Sequence, residues 1–263
     1  MIDPSLMPDQ DHFWSQAAAS YEQEFVDPFR KDVRSPLMLA LKELADGRAK
    51  VVADLGCGIG PLLPFLSETF ASVIAVDFAP GMLDRARRRC PNATNITYLT
   101  RNLADLSALA GSVDVAVSVN SLVMPNVAEQ EDVLRQIRAT LKPEGRFLGI
   151  LPAMDGVHYQ TMLLVDRALD RGQPLDAARK NAGHLNDHAL YDFAFGQFRF
   201  QGLDQHFWQP FEIRYRFARA GLELIRKKKV HLSWSQFGGQ DSLKRYPPPW
   251  DWFFLAKAAE APP

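Results

Sequence analysis

The chain has 263 residues, 47% of them apolar and 23% charged, which is enough to bury a large core and ordinary for a globular protein. A formal net charge of −1 supplies no global field toward nucleic acid or anionic membrane. Cys57 and Cys90 have no paired spacing, which argues against a zinc cluster or disulfide scaffold and fits a reducing, cytoplasmic setting.

No basic region followed by an apolar run opens the sequence, and no stretch approaches the ~18 apolar residues of a membrane span. Trp14, Ala18, Tyr21 and Phe25 recur at helical spacing and predict an amphipathic helix over 12–26. Ser35 and Pro36 read as the N-cap and first position of a second helix, with Leu37, Ala40, Leu41 and Leu44 on one face and Gly47 at its end. From residue 50, strands and helices alternate. "KVVADLG" is a strand, "PLLPFLSETFA" a helix and "SVIAVDFA" a second strand. Pro80 opens the helix "GMLDRARRRC", and "ITYLTRN" and "VDVAVSVNS" are strands three and four. The helix "EDVLRQIRATLKPEG" turns Val133, Leu134, Ile137 and Leu141 inward and closes on Pro-Glu-Gly before the fifth strand, "RFLGILP". Strands this continuously apolar imply a parallel sheet covered on both faces, and right-handed crossovers make it doubly wound.

The alternation breaks after strand five. Residues 152–209 contain one clear helix, "HYQTMLLVDRALDRG", and an aromatic stretch, "GQFRFQGLDQHFW", that reads as two short strands around Gly202. Regularity returns with the helix "PFEIRYRFARAG" and two strands, "LELIRKKKVHLSW" and "WDWFFLAKA". The basic run at 226–229 falls on an edge strand, where charge discourages pairing with other chains; it is too small for a nucleic-acid footprint. The expected organisation is one domain: a helical cap over 1–47, a core over 48–151, an insertion over 152–209, and a last helix with closing strands over 210–257.

In an open parallel sheet, ligands bind beyond the carboxyl ends of the strands where the strand order reverses. Gly56, Cys57, Gly58 and Gly60 fall there. A dinucleotide loop reads G-x-G-x-x-G, whereas this one reads G-x-G-x-G, with Pro61 where the third glycine belongs. Asp54, two residues before the first glycine, would repel a pyrophosphate and suits a ligand carrying positive charge. An NAD(P)-dependent oxidoreductase is therefore the weaker alternative.

Taken together, "VVADLGCGIG", "VIAVDFAPGML", "YLTRNLADL" and "LKPEGRFLGI" resemble the signatures of the class I S-adenosylmethionine-dependent methyltransferases. The resemblance implies an α/β fold with a mostly parallel seven-stranded sheet, strand seven running antiparallel between five and six. It implies S-adenosylmethionine as cofactor, with Asp54 organising the methionine amino group and Gly56, Cys57, Gly58 and Gly60 under the ligand. Asp77 would take the ribose hydroxyls, Phe78 and Met82 would flank the adenine, and Asn102 and Leu103 would lie along its edge. Asn102 stands where the family often has an aspartate. Asn120, ending strand four, would lie near the transferring methyl, and Trp14 and Tyr21 of the cap could close over the cofactor.

Methyl transfer is an in-line attack in which positioning supplies much of the catalysis, and a base matters only for a protonated nucleophile. His158, His206 and Asn120 are the candidate catalytic residues. Phe198, Phe200, Phe207 and Trp208 could wall an apolar acceptor pocket, which makes 152–209 a candidate lid; a homodimer contact and plain core packing compete for it. His184, His188 and Asp192 share a spacing of four, but Gly183, Asn186 and Asp187 are poor helix formers, so no metal is expected. The expected activity is methylation of an oxygen or nitrogen of a small molecule, with no nucleic-acid or membrane partner. A catalytically inactive, cofactor-binding regulatory subunit is the alternative within the same fold.

Overall fold

The computed structural model describes residues 10–18, 27–46, 49–182, 195–200, 203–237 and 241–259. Strands β1 (Val51–Leu55), β2 (Ser72–Asp77), β3 (Ile96–Thr100), β4 (Val113–Val119), β5 (Leu141–Leu151), β8 (Leu222–His231) and β9 (Trp250–Ala258) form one sheet in the order β3-β2-β1-β4-β5-β9-β8. The first five are parallel, and β9 runs antiparallel to both β5 and β8. This is the seven-stranded sheet expected from the sequence. The chain passes from β1 outward through β2 to β3, then returns to the other side of β1 as β4. A crevice therefore opens at the carboxyl ends of β1 and β4.

Two apolar layers hold the sheet. On one face, α2 (Leu37–Leu44), α3 (Leu63–Thr69) and α4 (Pro80–Arg89) bury Leu37, Leu41, Leu66 and Leu83 against Val52, Val73 and Phe253. On the other, α5 (Val127–Thr140) and α8 (Pro210–Arg219) bury Val133, Ile137 and Phe217 against Phe147 and Phe254. Adjacent Phe253 and Phe254 go to opposite layers, as the two-residue repeat of a strand requires. The helix starts at Leu37 with Pro36 as its N-cap, one residue later than expected, and Ser35 Oγ accepts the Leu37 N–H at 3.3 Å.

Several boundaries differ from expectation. The first helix, α1, is Gln10–Ala17; residues 19–26, Gly47 and the histidines at 184 and 188 lie outside the described residues. β5 starts at Leu141 rather than after the Pro-Glu-Gly turn, because the register jumps from Val113↔Leu141 to Val115↔Arg146 and the Lys142–Gly145 stretch bulges between them. Lys142 pins that bulge to Asp114 at 2.7 Å. β8 stops at His231, where a 3-10 turn, Trp234–Phe237, takes over. It is the edge strand, and Lys227 and Lys229 lie over the Trp252 and Trp250 rings at 4.7 and 3.2 Å.

The insertion divides into two parts. Helices α6 (Met154–Asp170) and α7 (Leu175–Ala182) pack through Leu163, Leu164 and Ala182 on Trp234 and Leu243, away from the crevice. The hairpin of β6 (Gln197–Phe200) and β7 (Leu203–His206) instead reaches the post-β4 loop, where the His206 N–H donates to Val123 O at 2.8 Å. Trp208 comes two residues later, fully buried, its indole N–H donating to Leu122 O at 2.7 Å. It is therefore core, not pocket wall. No helix among the described residues is long and apolar enough to cross a membrane.

Gly149 in β5 tests the packing. A Cβ there would sit 1.8 Å from Ser118 O, a backbone atom of the neighbouring strand. Gly149→Ala is expected to lower stability by about 1–3 kcal/mol or more in urea unfolding, because β4 and β5 must separate to admit it.

Candidate functional site

A cavity of about 520 Å³ lies over the carboxyl ends of β1, β2 and β4. The glycine loop forms its floor. Gly56 and Cys57 donate their N–H groups to Val76 O at 2.8 and 2.9 Å, which folds the loop back over β2. Gly56 has φ +74°, and a Cβ there would lie 2.3 Å from Ser121 Cβ, so only glycine lets the β4 end close on the loop. At Gly58, φ +54°, a Cβ would have nothing within 4 Å: this glycine borders open ligand space.

Asp77 ends β2 and clamps this floor. Its Oδ2 accepts the Gly58 N–H at 2.8 Å and its Oδ1 the Ala79 N–H at 2.9 Å. Burial raises its carboxyl above the ordinary range, opposed by those two backbone donors. Two carboxylate oxygens offer about four acceptor sites, so two remain for a ligand's hydroxyls. Asp54 is 3% exposed and does not line the cavity. It shares the face of Val52, beneath α3 and α4, and burial followed by the nearby Asp77 charge pushes it up to about 7. It acts on the cavity through charge rather than contact.

Phe78, Met82, Asn102 and Leu103 line one end, with Trp14 of α1 beside them. α1 is docked by close packing: a Cβ on Gly81 would lie 2.8 Å from Ser15 O. Asn102 Oδ1 accepts the Ala104 N–H at 2.9 Å, so its carbonyl is already engaged in a local turn. At the other end lies Asn120, in the left-handed region at φ 52°, which few non-glycine residues adopt. Its Nδ2 donates to Asp251 Oδ2 at 3.5 Å, and its Oδ1 is buried without a partner. Asp251 also accepts the Ala153 N–H, at 3.3 Å; burial outweighs that bond and pushes its carboxyl up to about 7.

The expected site residues thus separate. Gly56, Gly58, Asp77, Phe78, Met82, Asn102, Leu103 and Asn120 line the cavity, whereas Asp54, Cys57 and Gly60 do not. Cys57 is buried and its thiol is pushed up by burial and two nearby carboxylates, and Gly60 packs on Ala86. Tyr21 lies outside the described residues. Neither histidine faces the cavity. His158 is exposed on α6. His206 is 1% exposed and its Nε2 meets Glu212 Oε2 at 2.9 Å. Burial alone would raise Glu212, but His206 and Arg216 together hold it below its ordinary value. That buried network is a structural tie, so His206 is corrected from candidate base to packing residue. Val123 and Met124 of the post-β4 loop, Glu129 of α5, and Asp204 and Gln205 of β7 also line the cavity. Sequence patterns did not single them out.

Comparison with known proteins places the chain among similar sequences and folds. Residues 52–145 match the family model described as a methyltransferase domain. The chain is 33% identical over 109 residues to the demethylmenaquinone methyltransferase of Tropheryma whipplei, covering 41% of this chain and 44% of that protein. It is 30% identical over 146 residues to the ubiquinone biosynthesis O-methyltransferase of Xanthomonas oryzae pv. oryzae, covering 53% of this chain and 59% of that protein. The chain spans about half the length of the curated relatives it matches. Among solved structures, the CcbJ methyltransferase of Streptomyces caelestis shares the fold with a TM-score of 0.61 at 18% identity, covering 96% of this chain and 100% of that chain.

Residues 52–145 are thus similar to a methyltransferase domain, and the chain shares its fold with solved methyltransferases. The residues present fit S-adenosylmethionine, the cofactor that this similarity implies. Gly58 leaves open the space a side chain would fill, and the Asp54 and Asp77 carboxylates favour a ligand that carries positive charge.

Asp54 allows a sign to be predicted. A carboxyl held near 7 in the fold rather than at 3.8 makes its charged form destabilising by on the order of 4 kcal/mol above pH 7. The folded state binds the extra proton, so this penalty grows as pH rises from 3.8 to about 7 and is absent below. Asp54→Asn should raise the thermal midpoint at pH 8 and leave it nearly unchanged at pH 4. The same substitution should weaken S-adenosylhomocysteine binding several-fold in calorimetry.

Proposed function

We propose that the protein transfers a methyl group from S-adenosylmethionine to an oxygen or nitrogen of a small-molecule acceptor. The observation that carries this reading is one cavity with two chemically different ends. Gly58, Asp77, Phe78 and Met82 make one end, and Asn120, Glu129, Asp204 and Gln205 make the other. A volume of about 520 Å³ supports a small acceptor beside the cofactor rather than a macromolecular one.

In this reading Asp77 holds the ribose hydroxyls, while Phe78, Met82 and Leu103 supply apolar surface to the adenine and Trp14 closes over it. Asp54 and Asp77 attract the positive charge of the ligand. Bound S-adenosylmethionine would supply an activated methyl for transfer to a lone pair of the acceptor, with its own carbon–sulfur bond as the one broken and the acceptor's proton released. The chain contributes orientation and exclusion of water. Asn120, fixed by Asp251 and by its N–H to Ile150 O at 2.9 Å, holds the β4 end rigid beside the reacting atoms. With His206 engaged by Glu212 and His158 exposed, a base is supplied, where the acceptor needs one, by Glu129 or Asp204. The β6–β7 hairpin selects the acceptor, and the α6–α7 half of the insertion supports the sheet.

Calorimetry with S-adenosylhomocysteine and NADH tests the cofactor assignment. Wild type should bind S-adenosylhomocysteine and not NADH, and Asp77→Ala should weaken binding about 10- to 100-fold. NADH binding in its place would restore the oxidoreductase alternative. S-adenosylhomocysteine binding without turnover on any acceptor would favour the regulatory-subunit alternative.

A further inference from the structure

The outer end of the cavity has a charge that its cofactor does not explain. His206 N–H and Val123 O fix β7 against the post-β4 loop, and that loop runs directly into α5 through its cap residue Asn126. Asp204, Gln205 and Glu129 therefore share one wall with Val123 and Met124. Together with Asp77, three carboxylates line the cavity, and no lysine, arginine or histidine lines it among the described residues. The whole chain, by contrast, is almost neutral at −1.

A second observation points independently to a ligand. Gln205 is 8% exposed and lines the cavity, yet its side-chain amide makes no hydrogen bond with the described residues. The amide opens on the cavity, where water or a ligand supplies the missing hydrogen bonds. Glu129 is likewise without an ion-pair partner among the described residues, although the same helix ties Glu131 to Arg219 at 2.8 Å. Its backbone N–H is capped by Asn126, which leaves the side chain to the cavity.

We infer that Glu129, Gln205 and Asp204 form an acceptor subsite that selects a molecule bearing a protonated amine and rejects carboxylate or phosphate-bearing acceptors. The amine donates to Glu129 and to the Gln205 carbonyl oxygen, and Val123 and Met124 carry its hydrocarbon part. An anionic acceptor would meet the Glu129 carboxylate, with no cation lining the cavity among the described residues to offset its desolvation. The inference rests on the proposed division of the cavity between cofactor and acceptor.

Two probes of matched shape, benzylammonium and benzoate, test it by titration into protein saturated with S-adenosylhomocysteine. Benzylammonium should bind at millimolar concentration and benzoate should not. Glu129→Gln should weaken benzylammonium about tenfold, as expected for loss of a charge-assisted bond, and leave S-adenosylhomocysteine affinity within about twofold. Gln205→Leu should also weaken benzylammonium. Equal binding of benzoate, no binding of either probe, or benzylammonium binding untouched by Glu129→Gln would overturn the subsite. So would weakened S-adenosylhomocysteine binding in Glu129→Gln, which would move Glu129 to the cofactor end. Failure of wild type to bind S-adenosylhomocysteine would instead remove the cofactor reading beneath it.

Discussion

The rest of the site hangs on the carboxylate of Asp77. One oxygen holds Gly58 and the other holds Ala79, so a single buried side chain joins the loop leaving β1 to the corner that starts α4. Burial disfavours its charge, and the two backbone donors make that charge tolerable. The clamp has consequences in both directions. Toward the core, it keeps Gly56 against Ser121 and so brings β4 to the loop. Toward the cavity, it presents Phe78 and Met82, and it leaves acceptor capacity on the carboxylate facing the ligand space. A neutral residue of similar size could fill the volume but could not accept both backbone protons and still receive hydroxyls.

The opposite wall is built on a different principle. The hairpin is not part of the main sheet, and its position depends on the short segment that joins it to α8. In that segment Trp208 is fully buried, donates to Leu122 O, and has its own N–H on Pro152 O at 2.8 Å. The His206–Glu212–Arg216 tie sits beside it, with the His206 and Trp208 rings edge-to-face at 5.5 Å. This wall is therefore stapled by a few long-range contacts, whereas the floor is continuous with the sheet. Local opening free energies scale with the density of such contacts, so the hairpin is the more easily opened wall of the cavity.

These two principles explain what the sequence disclosed. The fold was legible because a parallel sheet buried on both faces writes itself as apolar runs between helical periods, and β1 to β5 match those runs. The floor was legible because Gly56, Gly58 and Asp77 owe their roles to local backbone geometry at fixed spacing. The wall was not. Glu129, Asp204 and Gln205 reach the cavity only through the pairing of His206 with Val123, a contact across 83 residues that no period or motif encodes. His206 was misread for the related reason that an aromatic-rich, histidine-bearing stretch has the same composition whether it lines a pocket or fills a core. For Asp54, the motif revealed the residue type the loop needs, but strand parity turned its side chain under the helices.

The placement of acids shows where stability has been given up. Away from the cavity, several buried or half-buried carboxylates have cations: Asp114 has Lys142 at 2.7 Å, Glu131 has Arg219, and Glu212 has Arg216. At the carboxyl edge of the sheet three acids lack such partners among the described residues. Asp54 and Asp251 are both pushed up to about 7 by burial, and Asp77 is raised in the same direction. β9 runs antiparallel, so its start, where Asp251 sits, lies at the same edge as the ends of β1, β2 and β4. Three poorly compensated acids on one edge of the sheet are costly to keep. Their shared location is what a site for a positively charged ligand requires, since a lysine or arginine beside them would cancel the field it needs.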